Sequence, residues 1–353
     1  MRAITALLFP FLLMGCASID KPTIPRSADT MVTVDSRIEL MSAIQLLSGY
    51  FLVSYLDSDY KSDALRYFEP CKGHPAVSKF TELSSNGFEF STVPDAFIAL
   101  SEPPTLGQRY PVKPEVIDKA GGASDYTEFL TLIRAFANDC GFEAFYDTHR
   151  PYYDRLVAQS QSSVTSSSGA LTSYFGMPLG STEVVLGPLL HDGGFATRYD
   201  GNAGEAIAYA FIGPVELSEG EATFGTVERL QPLVAHEFAH TVINPLTAKF
   251  SSEVSASEEN FQSVAEAMRQ EGYSSWEQVV NESIIRALTA RLTTSQRGEE
   301  AGRAEIADEV KRGFIYVPAL VKRLERYENQ RSRYPAIEDY YPSLLEVFRT
   351  KPS

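Results

Sequence analysis

Apolar residues return at helical spacing from the start of the folded chain. Ile38, Met41, Ile44 and Leu47 share one face of a helix that Ser36-Arg37-Ile38-Glu39 opens with a capping-box pattern. Similar stripes predict helices near 62–68, 75–83, 94–100, 125–137 and 142–157, so residues 32–158 read as a helical N-terminal region. The pattern breaks at QSQSSVTSSS, Gln159 to Ser168, which neither alternates nor carries an apolar stripe, and a Ser-rich loop is expected over 159–170. Beyond it TEVVLGPLL (from Thr182), GFATRY (from Gly194) and EAIAYAFIGP (from Glu205) are short, rich in Val, Ile, Phe and Tyr, and punctuated by Gly, Asn and Asp. They predict adjacent strands joined by hairpins, a small and mostly antiparallel sheet. Helical spacing resumes near 232–243, 258–270, 275–293, 300–312, 318–327 and 342–348. The expected class is α+β, with a helical first half and a second region, 171–353, in which a small sheet is followed by helices.

The N-terminus changes the setting. Arg2 precedes an apolar run from Ile4 to Met14, too short to span a bilayer, which is the pattern of a signal peptide over 1–15. Leu13-Met14-Gly15-Cys16 is similar to a bacterial lipobox, which implies lipidation of Cys16; an ordinary leader with a chance cysteine is the alternative. By the same resemblance, Ala17 and Ser18 in place of an Asp imply a cell-envelope lipoprotein of the outer membrane, facing the periplasm. Residues 16–31, polar with Pro22 and Pro25, read as a lipidated tether. No later run is apolar enough to cross a bilayer, so only lipid would hold the chain at a membrane. A net charge of −15 argues against a nucleic-acid-binding surface, which needs clustered Lys and Arg. With Cys16 assigned to lipid, Cys71 and Cys140 are expected to pair in an oxidising compartment; two separate buried thiols are the alternative.

The candidate chemistry lies in His236-Glu237-Phe238-Ala239-His240. Two His four apart on a helix present both imidazoles to one cation, and the intervening Glu237 flanks the site without occupying a ligand position. Two surface His on an exposed helix would give the same letters. Pro232 suits a first turn and Asn244-Pro245 is expected to stop the helix. A catalytic zinc needs a third protein ligand, and Glu282 offers one on a helix with a Ser274 to Glu277 capping-box pattern. Arg286, one turn on, is either its solvated ion-pair partner or a clamp that keeps the carboxylate ionised.

These residues resemble the gluzincins, zinc peptidases with His-Glu-x-x-His on one helix and a Glu, often preceded by Asn, on the next. The likeness covers about Thr182 to Leu292. More narrowly, His236 to Pro245 and Asn281 to Ala287 are similar to a bacterial family of uncharacterised secreted proteins grouped with peptidases, whose opening helix also looks like Val34 to Tyr50. The resemblance implies a zincin-like fold over 171–353 and zinc on His236, His240 and Glu282. It also implies Glu237 as general base, with Asn281 and Arg286 behind the ligands. His191, Tyr209 and Tyr316 are possible oxyanion stabilisers. A metallopeptidase acting on a peptide or protein substrate is the expected function. An envelope binding or scaffold protein and a cell-wall peptide amidase are the alternatives.

Overall fold

The computed structural model describes residues 30–200 and 206–350. The expected leader, Cys16 and the expected tether up to residue 29 lie outside them. Met31, the expected end of the tether, already sits in a strand. The first half comprises β1 (Met31–Thr33), α1 (Ser36–Ser48), α2 (Asp59–Phe68), α3 (Pro75–Ser85), α4 (Thr92–Ile98), α5 (Pro114–Lys119), α6 (Ala123–Asp139) and α7 (Phe142–Phe175). Then come β2 (Ser181–Leu186), β3 (Gly194–Asp200), β4 (Ala206–Ile212), β5 (Glu216–Ser218) and β6 (Glu221–Thr223). The chain ends with α8 (Val227–Lys249), α9 (Ser251–Ser255), α10 (Ala265–Gln270), α11 (Trp276–Arg297), α12 (Glu299–Lys311), α13 (Val317–Asn329) and α14 (Ile337–Leu345). The class is mixed α+β.

Several expectations are corrected. The Ser-rich stretch is no loop: α7 runs unbroken through it. Serine is a modest helix former because its hydroxyl competes for the backbone, but here the hydroxyls of Ser167 and Ser168 make tertiary contacts. Ser160, Ser163, Ser167 and Ser168 are buried, Ser168 pairs with Thr30, and Ser167 donates to the Gln231 carbonyl of α8 at 3.2 Å. The expected regional boundary therefore falls inside a helix, and one apolar core reaches from Val32 to Phe348. At α1 the cap is Asp35, whose carboxylate accepts from the Arg37 amide, while Glu39 turns inward to the Tyr60 hydroxyl.

The sheet is not mostly antiparallel. Its order is β1-β2-β4-β3, with β1 and β4 both parallel to β2 and only β3 antiparallel to β4. Burial explains the order. AIAYAFI of β4 is covered on both faces and reads as the near-continuous apolar run of a central strand, whereas half-exposed β3 takes the edge. One sheet face carries Phe195, Thr197, Tyr199, Tyr209 and Phe211 and meets the N-terminal helices, where Tyr199 donates to the Asp95 carbonyl of α4 at 3.0 Å. The other carries Gly194, Ala196, Ala208 and Ala210, small residues against which α8 packs closely.

Cys71 and Cys140 form a disulfide, Cα–Cα 6.1 Å, that ties the end of α2 to the end of α6 across 69 residues. Loop closure of that length stabilises the fold by about 4 kcal/mol on chain-entropy grounds. The double variant Cys71→Ser/Cys140→Ser should lose roughly that much in guanidinium unfolding. A loss below about 1 kcal/mol would mean the unfolded chain is not constrained by this bond.

Candidate metal centre

α8 is longer than its sequence suggests. It passes through both Pro232 and Pro245, so Asn244-Pro245 does not end it. A proline forfeits one helical hydrogen bond, but the turn beyond is anchored by tertiary contacts. Leu246 is buried, and the Thr247 hydroxyl meets Asn281 of α11 and Tyr341 of α14. α11 opens with a capping box one residue later than expected, Ser275 with Gln278, and from Val279 to Ala290 it is buried all round. It is the central helix of the C-terminal part, so a charge on it must be matched by other charges.

That charge is Glu282. Its Oε1 lies 3.3 Å from His240 Nε2 and its Oε2 3.5 Å from His236 Nε2, while the two Nε2 atoms stand 3.3 Å apart. Donors about 2.0–2.1 Å from a tetrahedral ion are about 3.3–3.4 Å apart, so these separations match three corners of one zinc site. Two imidazoles and a carboxylate are also the donor set of a catalytic zinc that keeps its fourth position open. Among the described residues this is the one His/Cys/Asp/Glu cluster so disposed, and the residues fit the ion. His240 Nδ1 is 3.2 Å from Asn244 Oδ1, a contact that aims Nε2 inward.

Arg286 Nη2 reaches Glu282 Oε2 at 3.1 Å, its Nη1 binds both oxygens of Glu309 at 2.9 and 3.1 Å, and its Nη2 donates to the Tyr273 hydroxyl at 3.2 Å. The ion pair with Glu282 is therefore buried, not solvated. Asn281 does not support the ligands directly. One residue round the helix from Glu282, it points to Thr247 and pins α11 to α8. The Tyr273 hydroxyl lies within reach of Glu282 and Arg286, and burial followed by the charge of Glu282 pushes its pKa up, so it stays protonated.

Of the three residues considered for an oxyanion role, the two tyrosines are engaged with other aromatic residues. The Tyr209 hydroxyl faces Tyr110 at 3.4 Å, and the Tyr316 ring packs between Trp276 and Phe348. His191 packs at a tilt against Phe195, ring centroids 4.8 Å apart, with its Nε2 beside Gly193. Tyr273, Asn244 and Glu309 are the site residues that sequence reasoning missed. Asn244 stands at the same spacing of four from His240 as His240 from His236, and that was its one visible signal.

Glu237 is buried and points at Gly194 on β3, where an added Cβ would sit 2.6 Å from its Oε1. Only glycine lets strand and carboxylate approach so closely. Burial, more than any neighbouring charge, lifts Glu237 to about 7. Burial pushes His236 down to about 4 against the pull of Glu282. At His240 burial acts in the same direction but is outweighed by the hydrogen bond and charge of Glu282, which raise it to about 9. Burial likewise disfavours ionised Glu282, yet the two imidazoles hold it well below the usual carboxylate range.

A cation entering the centre must therefore displace the proton on His240. Zinc titration by calorimetry in buffers of different ionisation enthalpy should show, besides any proton from zinc-bound water, about one proton per metal released from His240 at pH 8, a share that falls toward zero as pH rises past 9. Release of none at pH 8 would contradict this assignment. The sign follows from the raised value: His240 is charged below about 9, so zinc affinity should climb with pH until that point.

Residues 30–347, covering the N-terminal helices, the sheet and the centre alike, match a family model described as Domain of unknown function (DUF4932). No curated protein and no solved structure matches the chain. With nearly the whole chain matched, the protein belongs to the DUF4932 family.

Proposed function

We propose that the chain is a zinc-dependent hydrolase of the cell envelope, a gluzincin-like metallopeptidase. The observation that carries this reading is the convergence of His236, His240 and Glu282 within 3.3–3.5 Å of one another, beside a buried carboxylate that is not a ligand. Zinc held there would supply a Lewis acid that acidifies water and polarises a carbonyl oxygen.

The chain's own residues do the rest. Glu237, with a pKa near 7, is poised to take a proton from the attacking water at neutral pH and hand it to the leaving nitrogen. β3 is the edge of the sheet, runs antiparallel to β4, and brings Gly194 against Glu237. Its outer backbone groups offer an extended peptide a row of partners alongside the base. Asn244 orients His240, and Arg286 keeps Glu282 ionised. Cys16 would display the domain outside the cytoplasm by lipid, and no helix among the described residues is long and apolar enough to cross a membrane.

Cleavage of a broad peptide library should require zinc and stop on chelation. Glu237→Gln should retain the metal and lose turnover by a factor of about a hundred to ten thousand. Cleavage by that variant at the wild-type rate would remove Glu237 from the chemistry. Gly194→Ala, which pushes a methyl into the Glu237 carboxylate, should also keep zinc and lose most turnover.

A further inference from the structure

The guanidinium behind the metal ligand raises an electrostatic problem that the proposed ligand set leaves open. Arg286 sits on the same carboxylate oxygen that faces His236, and a full positive charge there competes with any cation for Glu282. Arg286 is itself buried, its ring-like plane lies 4.1 Å over the Phe314 ring, and its Nε has no hydrogen-bond partner. Its one close anionic partner besides Glu282 is Glu309, which grips Nη1 with both oxygens.

Glu309 stands on α12, a helix whose docking on α11 is polar. Gly302 is its one buried residue, so close to Thr294 that a Cβ there would run into the hydroxyl oxygen. The Glu305 carboxylate is satisfied by Thr293 and Thr289 of α11. Positions 302, 305 and 309 thus share the face of α12 turned to α11. An apolar helix in this place would cover α11 equally well, but would leave Arg286 balanced by Glu282 alone. Arg312, exposed on the outer side, pairs with Glu271 and also reaches Glu309 Oε2 at 3.4 Å, a solvent-facing contact weaker than the two-oxygen grip of Glu309 on Arg286.

We propose that Glu309 is a positioning residue of the metal centre, drawing the charge of Arg286 away from Glu282 so that the carboxylate remains available to a divalent cation. This rests on the metal reading above. Glu309 touches neither the ligands nor Glu237; it acts through Arg286. Outer-shell partners of metal ligands commonly change affinity by 10–100-fold.

The test is zinc affinity of the intact protein by competition with a chromophoric chelator, alongside thermal unfolding of the metal-free protein. Glu309→Gln should weaken zinc binding about tenfold or more, and Glu309→Asp, which restores the charge, should recover most of it. In an Arg286→Met background, Glu309→Gln should cost nothing further in affinity, because the charge it balances is gone. A purely structural role would lower stability in both backgrounds and leave zinc affinity unchanged. Wild-type affinity in Glu309→Gln, or an additive loss in the Arg286→Met background, overturns the inference while leaving the metal site intact. Failure of the wild-type protein itself to bind zinc any better than His240→Ala would instead overturn the metal reading, and this inference with it.

Discussion

Everything in the C-terminal part is arranged around one buried carboxylate. Glu282 lies on the helix most deeply enclosed by the fold, where an unpaired negative charge would cost several kcal/mol. Two imidazoles on one side and a guanidinium on the other supply the compensation, and each needs its own support. Asn244 fixes one imidazole, while Glu309 and Tyr273 hold the guanidinium. A purely structural core would be served as well by apolar residues of similar volume, so stability alone does not account for so dense a polar cluster.

The sheet and α7 answer a different demand, that α8 come close enough to bring its two His to Glu282. Gly194, Ala196, Ala208 and Ala210 keep one sheet face low, and the serines of α7 do the same on another side of α8. The price of that closeness is lost apolar burial, offset by hydroxyl pairs such as Thr30 with Thr182 at 2.8 Å. The opposite sheet face carries the large aromatic residues and anchors the N-terminal helices, so a continuous core backs the centre from both directions.

Local signals made part of this legible in the sequence. Spacing of four put His236 and His240 on one helix face, Glu282 followed on the next strongly apolar helix, and two cysteines besides Cys16 left one obvious pair. What stayed hidden depends on tertiary context. Nothing local distinguishes a buried serine-rich helix from a loop, because the deciding hydrogen bonds come from Thr30 and Gln231, far along the chain. The parallel sheet order rests on which strand is covered twice. Pro245 looked terminal because the contacts that carry α8 past it belong to Asn281 and Tyr341. Glu309 and Tyr273 enter the site only because α12 and the turn before α11 fold back onto Arg286.

In the proposed site His236, His240 and Glu282 together hold one zinc ion. Metal content of the purified chain tests it most directly, with wild type compared to His240→Ala and Glu282→Ala, each checked for native folding. One zinc per wild-type chain and background levels in both variants are expected. A folded Glu282→Ala protein that retains a full equivalent of zinc would contradict it.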